Sequence, residues 1–125
     1  MTGNKYKVSP AADRRWEGRT YGSKAEMQYA QQLWQLRKMG EIVEYIEQPR
    51  LWLGVPENVY IPDFFVVSEC GVCWYVDVKG METQKFKRDK KLWRAYGRHS
   101  LHLVKKSGKG FKVYETIDPP TEGNG

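Results

Sequence analysis

Two extended, largely apolar runs rich in β-branched and aromatic residues, Tyr60 to Val67 and Val72 to Lys79, are separated only by Ser68-Glu69-Cys70-Gly71. Turn chemistry of that length between two such runs leaves room for a hairpin and little else, so an antiparallel pair of strands is predicted there. Upstream, Ser23 and Glu26 match a capping box, and Met27, Ala30, Leu33, Trp34 and Leu36 make a helical apolar stripe that runs to Met39 and stops at Gly40. Glu41 to Glu47 alternates as a strand. Gln48-Pro49 breaks it before a short apolar piece, Leu51 to Leu53, and a loop over Gly54 to Asn58.

Beyond Gly80, the spacing of Phe86, Lys90, Trp93 and Ala95-Tyr96 predicts a second helix from about Thr83 to Gly97, with a densely basic outer face. Leu101 to Val104 follows as a short strand. Because a helix intervenes, this strand should lie parallel to the second hairpin strand in a right-handed crossover. Gly108 to Gly110 loosens the chain before Phe111 to Tyr114. The expected fold class is α/β, a mixed β-sheet flanked by helices in the order α-β-β-β-α-β. Residues 1–20 read as a basic, irregular arm, 21–114 as one domain, and 115–125 as a flexible tail.

A chain of 125 residues with 40% hydrophobic side chains and five Trp can bury one real core, which excludes disorder and a coiled coil. Its apolar stretches fall far short of the roughly 20 residues of a membrane span, and no signal-peptide pattern follows Met1. Two cysteines, Cys70 and Cys73, are too few for a disulfide framework or a zinc set, and read as residues of the turn. A soluble, cytoplasmic protein without a membrane partner is expected.

The formal charge is +6, and its placement says more than its total. From Lys79 to Lys112 there are twelve Lys and Arg against two acids, Glu82 and Asp89. Solvated helix faces usually mix signs, so this one-sided run predicts a polyanionic partner, namely nucleic acid. Lys85, Lys87, Arg88, Lys91 and Arg94 on the helix, with Arg14, Arg15 and Arg19 in the lead-in, are the expected DNA contacts. Trp16 and Tyr21 are candidates for contact with bases.

Folding the hairpin about its turn brings Asp63, near the start of one strand, to the end of the other, where Asp77 and Lys79 share a face. Like charges opposite one another in a sheet are unfavourable unless a positive charge sits between them. Two Asp side chains and a backbone carbonyl offer oxygen ligands suited to Mg²⁺ or Mn²⁺. Lys79 would then orient a water and offset charge developing on a phosphodiester. A strand-end salt bridge is the plainer alternative. Glu26 has two readings, as a local capping residue or as a carboxylate turned toward the sheet and the metal.

Ser23-Lys24-Ala25-Glu26, Gln48-Pro49, Pro62-Asp63-Phe64 and Asp77-Val78-Lys79, in that order, resemble the PD-(D/E)XK nuclease superfamily. The resemblance spans roughly Tyr21 to Val104, and is greatest to small phage-encoded members that include Holliday junction resolvases. It implies a restriction endonuclease-like core, and Glu26, Asp63 and Asp77 as metal-site acids together with the Val78 carbonyl. It further implies Lys79 as the catalytic lysine, and a helix residue near the scissile phosphate, either Gln84, Lys87 or Lys91. Asp77 stands where Glu is common. The expected activity is a Mg²⁺-dependent endonuclease on branched DNA, acting as a homodimer in the cytoplasm of a host cell. A sequence-targeted nuclease of restriction or transposition type, and a non-catalytic DNA-binding recombination accessory protein, are the alternatives.

Overall fold

The computed structural model describes residues 8–121. A 3-10 turn, Ala11–Arg14, leads into a miniature hairpin of β1 (Arg15–Trp16) and β2 (Arg19–Thr20), whose two-residue connection Glu17-Gly18 has positive φ at both positions. The expected irregular arm is therefore folded over 11–20, and residues 1–7 of it lie outside the described residues. Trp16 packs edge-on against Trp34, with ring centroids 6.1 Å apart, and this contact docks the hairpin on the first helix.

That helix, α1 (Lys24–Lys38), begins where the sequence predicts: the Ser23 hydroxyl accepts the Glu26 amide at 3.0 Å. Its buried stripe is Met27, Ala30 and Leu33, joined by Tyr29. β3 (Ile42–Glu47) follows. The segment read as one long strand, Tyr60 to Val67, is divided. β4 (Leu51–Trp52) pairs with β5 (Val59–Tyr60) in a small separate hairpin, and β6 (Phe64–Ser68) begins only after Ile61-Pro62-Asp63. Fully buried Pro62 has no amide proton to continue a ladder, so the chain changes sheets there.

β7 (Cys73–Val78) pairs antiparallel with β6, and α2 (Gln84–Tyr96) crosses over to β8 (Ser100–Ser107), which lies parallel to β7 as expected. β8 is twice the expected length because it turns directly into β9 (Gly110–Ile117), an antiparallel partner absent from the expected order. The mixed five-stranded sheet runs β3-β6-β7-β8-β9. The last strand passes residue 115, where a flexible tail was expected, and residues 122–125 lie outside the described residues.

One helix covers each face. Phe64, Val66, Val76 and Val104 point toward α1 and pack with Met27, Ala30 and Leu33. Leu101, Leu103 and Ile117 point the other way, with Phe86 and Trp93 of α2 and with Tyr60 and Leu53 of the small hairpin. Phe64, Val66 and Val76 are wholly buried, each contributing about 1.5–3 kcal/mol of burial. Phe64→Ala, which would open a cavity beside Tyr29 and Tyr45, should cost about 3–5 kcal/mol.

Candidate active site

The β6–β7 register pairs Phe64 with Val76, which sets Asp63 opposite Asp77 one step further out. The two exchange hydrogen bonds with the opposing backbone. The Asp63 amide donates to Asp77 Oδ1 at 2.9 Å, and the Val78 amide donates to Asp63 Oδ2 at 2.7 Å. The Gln48 amide donates to the Asp63 carbonyl at 2.9 Å, tying in the end of β3. Carboxylates that two runs of sequence carry fourteen residues apart are thus locked together by strand register.

Lys79 extends from the same face of β7 as Asp77. Its Nζ lies 3.6 Å from Asp77 Oδ2 and 3.9 Å from the centre of the Phe86 ring, so α2 supplies an aromatic wall that holds the ammonium over the acid. Glu26 joins the cluster from the first turn of α1. Its amide takes the Ser23 cap, while its side chain, 8% exposed, turns toward Asp63 and the Gln48 side chain. Both readings of Glu26 hold at once, the backbone serving the cap and the carboxyl the cluster.

Burial dominates the electrostatics here. It pushes the Glu26 carboxyl up to about 7, aided by the charge of Asp63 and opposed by a hydrogen bond from Gln48. It pushes Asp77, 2% exposed, up to about 6, against the pull of Lys79. Asp63 is likewise raised by burial, against the Val78 amide, Lys79 and contact with Glu26. Lys79 offsets the two aspartates, and Arg19 acts on Glu26 from the other side.

Whether these residues suit a hard cation can be judged from unmet valence. Asp77 Oδ2 is buried without a hydrogen-bond donor, since Lys79 at 3.6 Å is an ion-pair contact beyond hydrogen-bond range. Among the described residues no three His, Cys, Asp or Glu side chains form a ready metal cage. The oxygen donors at hand are the Asp63 and Asp77 carboxylates, with Glu26 near enough to feel the charge of both, and an all-oxygen set of that kind suits Mg²⁺ or Mn²⁺. A cavity of about 340 Å³ opens next to Lys79, walled by Tyr60, Ile61, Thr83 and Phe86.

The expected DNA contacts fare unevenly. Gln84, Lys87 and Lys91 lie exposed on the outer side of α2, and among the described residues neither lysine is in an ion pair. Others are engaged within the protein. Lys85 pairs with Asp89 at 3.0 Å, Arg94 with Glu115 at 3.5 Å, and Arg88 bonds Asn58 at 3.0 Å. Lys90 bridges Glu82 and Glu115 at 2.9 and 2.8 Å. The helix face read as one-signed therefore meets acids brought by other elements. In the lead-in, Arg14 is spent on the Ser9 and Tyr21 carbonyls, Arg15 bonds Thr20, and Arg19 pairs with Glu47 at 3.4 Å.

Two site residues escape the sequence reading. Gln48 is read in the sequence as a strand breaker and as part of a motif but given no role at the site; its φ of +52° turns the chain so that its amide reaches Asp63 and its side chain Glu26. Asp89, one of two acids in the basic stretch, is 7% exposed and adds to the upward push on Asp77. Cys70 stays at the turn, exposed beside the Ser68 hydroxyl, whereas Cys73 is the first residue of β7 and is half-buried. No helix is long and apolar enough to cross a membrane among the described residues. No curated protein matches the chain. Residues 4–112 match the family model described as Protein of unknown function (DUF1064), and with that much of its length covered the chain belongs to that family.

Proposed function

We propose that this protein is a metal-dependent endonuclease that hydrolyses DNA phosphodiester bonds, with branched DNA such as a four-way junction as substrate and a homodimer as the acting form. The observation that carries the reading is the undercompensated cluster of Glu26, Asp63 and Asp77 around Lys79, with one buried oxygen of Asp77 lacking a donor. Structural carboxylates at this depth are ordinarily matched by donors, because an unpaired buried charge costs several kcal/mol, roughly. An acid cluster left short of positive charge is what a cation-binding site looks like before the cation.

Mg²⁺ or Mn²⁺ held by Asp63 and Asp77 would polarise the phosphodiester and acidify a water. The chain's own groups do the rest. Lys79, fixed between Asp77 and Phe86, orients the attacking water and offsets charge growing on the phosphate oxygens. Glu26, with its carboxyl pushed up to about 7, can take up or release a proton at neutral pH. Gln84, Lys87 and Lys91, exposed on the helix that begins beside Lys79, hold the DNA backbone. The preference for junctions follows from the resemblance to phage resolvases, and the dimer from the need for two symmetric nicks.

The test is incubation with Mg²⁺ and a labelled four-way junction, beside a linear duplex of the same sequence and an Asp77→Ala control. Paired symmetric nicks on the junction, absent from the variant, support the whole reading. Equal cutting of both substrates supports the nuclease and removes the junction preference. Binding without cutting in either metal removes the nuclease and leaves a DNA-binding accessory protein.

A further inference from the structure

A second cavity, of about 240 Å³, lies on the α2 side of the sheet between the β4–β5 hairpin and the C-terminal end of α2. Trp52, Tyr75, Trp93 and Tyr96 wall it, Arg50 and Arg98 stand at it, and no acid lines it. Both arginines are exposed, and among the described residues neither is in an ion pair. On α2, by contrast, Lys85, Lys90 and Arg94 are matched by acids. Trp52 and Tyr96 are 59% and 51% exposed, large apolar surface left facing water. The wall is built closely: a Cβ on Gly54, which has φ of +89°, would lie 2.7 Å from the Tyr96 ring, so only glycine lets the hairpin close against it. The Trp93 indole donates to the His99 carbonyl at 2.9 Å, which fixes the floor.

Aromatic faces with free guanidinium groups and no carboxylate fit a ligand that is planar at one end and anionic at the other. A nucleotide has that chemistry, and a base paired within a duplex cannot enter. The cavity also has a fixed relation to the candidate active site. Tyr75 and Asp77 are two residues apart on β7 and share a face, which separates them by about 7 Å. Phe86 walls Lys79 and Trp93 floors the cavity, two turns apart on α2, or about 10 Å.

We infer that this pocket holds one unpaired nucleotide of the strand that passes over Asp77 and Lys79, its base among Trp52, Tyr75 and Tyr96 and its phosphate on Arg50 and Arg98. The inference rests on the nuclease reading for the identity of that strand. It refines the substrate class to DNA with an unpaired base beside the cut, as where a pair opens at a branch point, or at a flap or a single-stranded gap.

Binding without chemistry separates the two ideas. Full-length protein in EDTA is titrated with a labelled short oligothymidylate, with the same length carrying abasic sites, and with a blunt duplex. Trp52→Ala, and Trp52→Ala with Arg98→Ala, should weaken oligothymidylate binding about fivefold or more and leave the duplex within about twofold. Abasic sites should weaken the unmodified protein similarly and add little to the variants' loss. Trp52→Phe, which keeps an aromatic face, should bind nearly as the parent does, and serves as the measure if the alanine variants do not fold. Abasic and intact oligonucleotides binding alike, or Trp52→Ala weakening the duplex as much as the single strand, would overturn the pocket. Neither outcome touches metal-dependent cleavage, which is read separately on the junction.

Discussion

The protein holds two clusters of acids against the same helix, and they are built in opposite ways. Around Lys90, Glu82 and Glu115 are matched: the ammonium bridges both, Arg94 reaches Glu115, and the Tyr114 hydroxyl donates to Glu82 at 2.7 Å. Burial works to raise the Glu82 carboxyl, yet hydrogen bonds from Lys90 and Tyr114 hold it below its usual range. At Lys79, one ammonium serves Asp63 and Asp77, Glu26 beside them has only Arg19, and burial leaves Glu26 and Asp77 far above the usual range. Both clusters are carboxylate-rich and partly buried. The matching of charge separates them: the first braces α2 against β9, and the second is the one to which the proposed reading assigns a cation.

The largest effect expected from this contrast is on catalysis. On the proposed reading, Asp77→Ala should lower cleavage by about a thousandfold or more while DNA affinity stays within about twofold, because the acid would serve the metal and the helix lysines the backbone. Lys90→Ala should leave cleavage rates nearly intact under folded conditions. Equal loss of cleavage in both variants would erase the distinction between the clusters.

Stability should show the reverse. Lys90 is 14% exposed at its side chain and is the shared partner of two carboxylates, so Lys90→Ala leaves Glu82 with Tyr114 alone and Glu115 with Arg94 alone. A loss of about 1 kcal/mol in urea unfolding is expected. Asp77→Asn should be neutral or stabilising without metal, since it removes a buried charge that lacks full compensation. A destabilisation by Asp77→Asn matching that of Lys90→Ala would mean the Asp77 cluster is a structural brace after all.

Acidity sharpens the comparison because the two clusters titrate with opposite sign. A carboxyl whose folded pKa is raised binds more protons in the folded state, so it costs stability as pH rises from its ordinary value through the raised one. For Glu26 and Asp77 that window runs from ordinary carboxylate acidity up to about 7. Glu82, held low, contributes stability above its ordinary pKa and loses it as pH falls through the lowered one. Metal-free protein should therefore lose a few degrees of melting temperature between about pH 5 and pH 7, and Mn²⁺ should restore them at pH 7. A flat profile, with no effect of Mn²⁺, would count against the cation site.

The smallest effects concern DNA binding. Lys87→Ala and Lys91→Ala, on exposed lysines without ion pairs, should each reduce the dependence of log affinity on log salt by about one. Lys85→Ala and Arg94→Ala should do less, because those cations already face Asp89 and Glu115. Equal slopes for all four would show that internal pairing does not withhold charge from DNA.

Which parts of this were legible in advance follows the range of the forces involved. The hairpin from Phe64 to Val78, the Ser23 cap and the crossover to β8 rest on period, turn residues and capping chemistry within a few positions, and the sequence by itself determined them. The alternation of strands likewise put Asp77 and Lys79 on one face, and the short turn implied that Asp63 would meet them. The third acid, and the charge state of the basic helix, were decided elsewhere. Whether the Glu26 carboxyl turns to its own cap or to Asp63 depends on how α1 sits against β3 and β7. The helix looked one-signed because Glu115, which answers Lys90 and Arg94, arrives on β9, twenty-one or more residues later in the chain. β9 itself was hidden behind Gly108 to Gly110, and the split of the Tyr60 to Val67 run behind Pro62. Local chemistry chooses the elements; charge compensation is summed over whatever elements pack together, and only the tertiary structure fixes that sum.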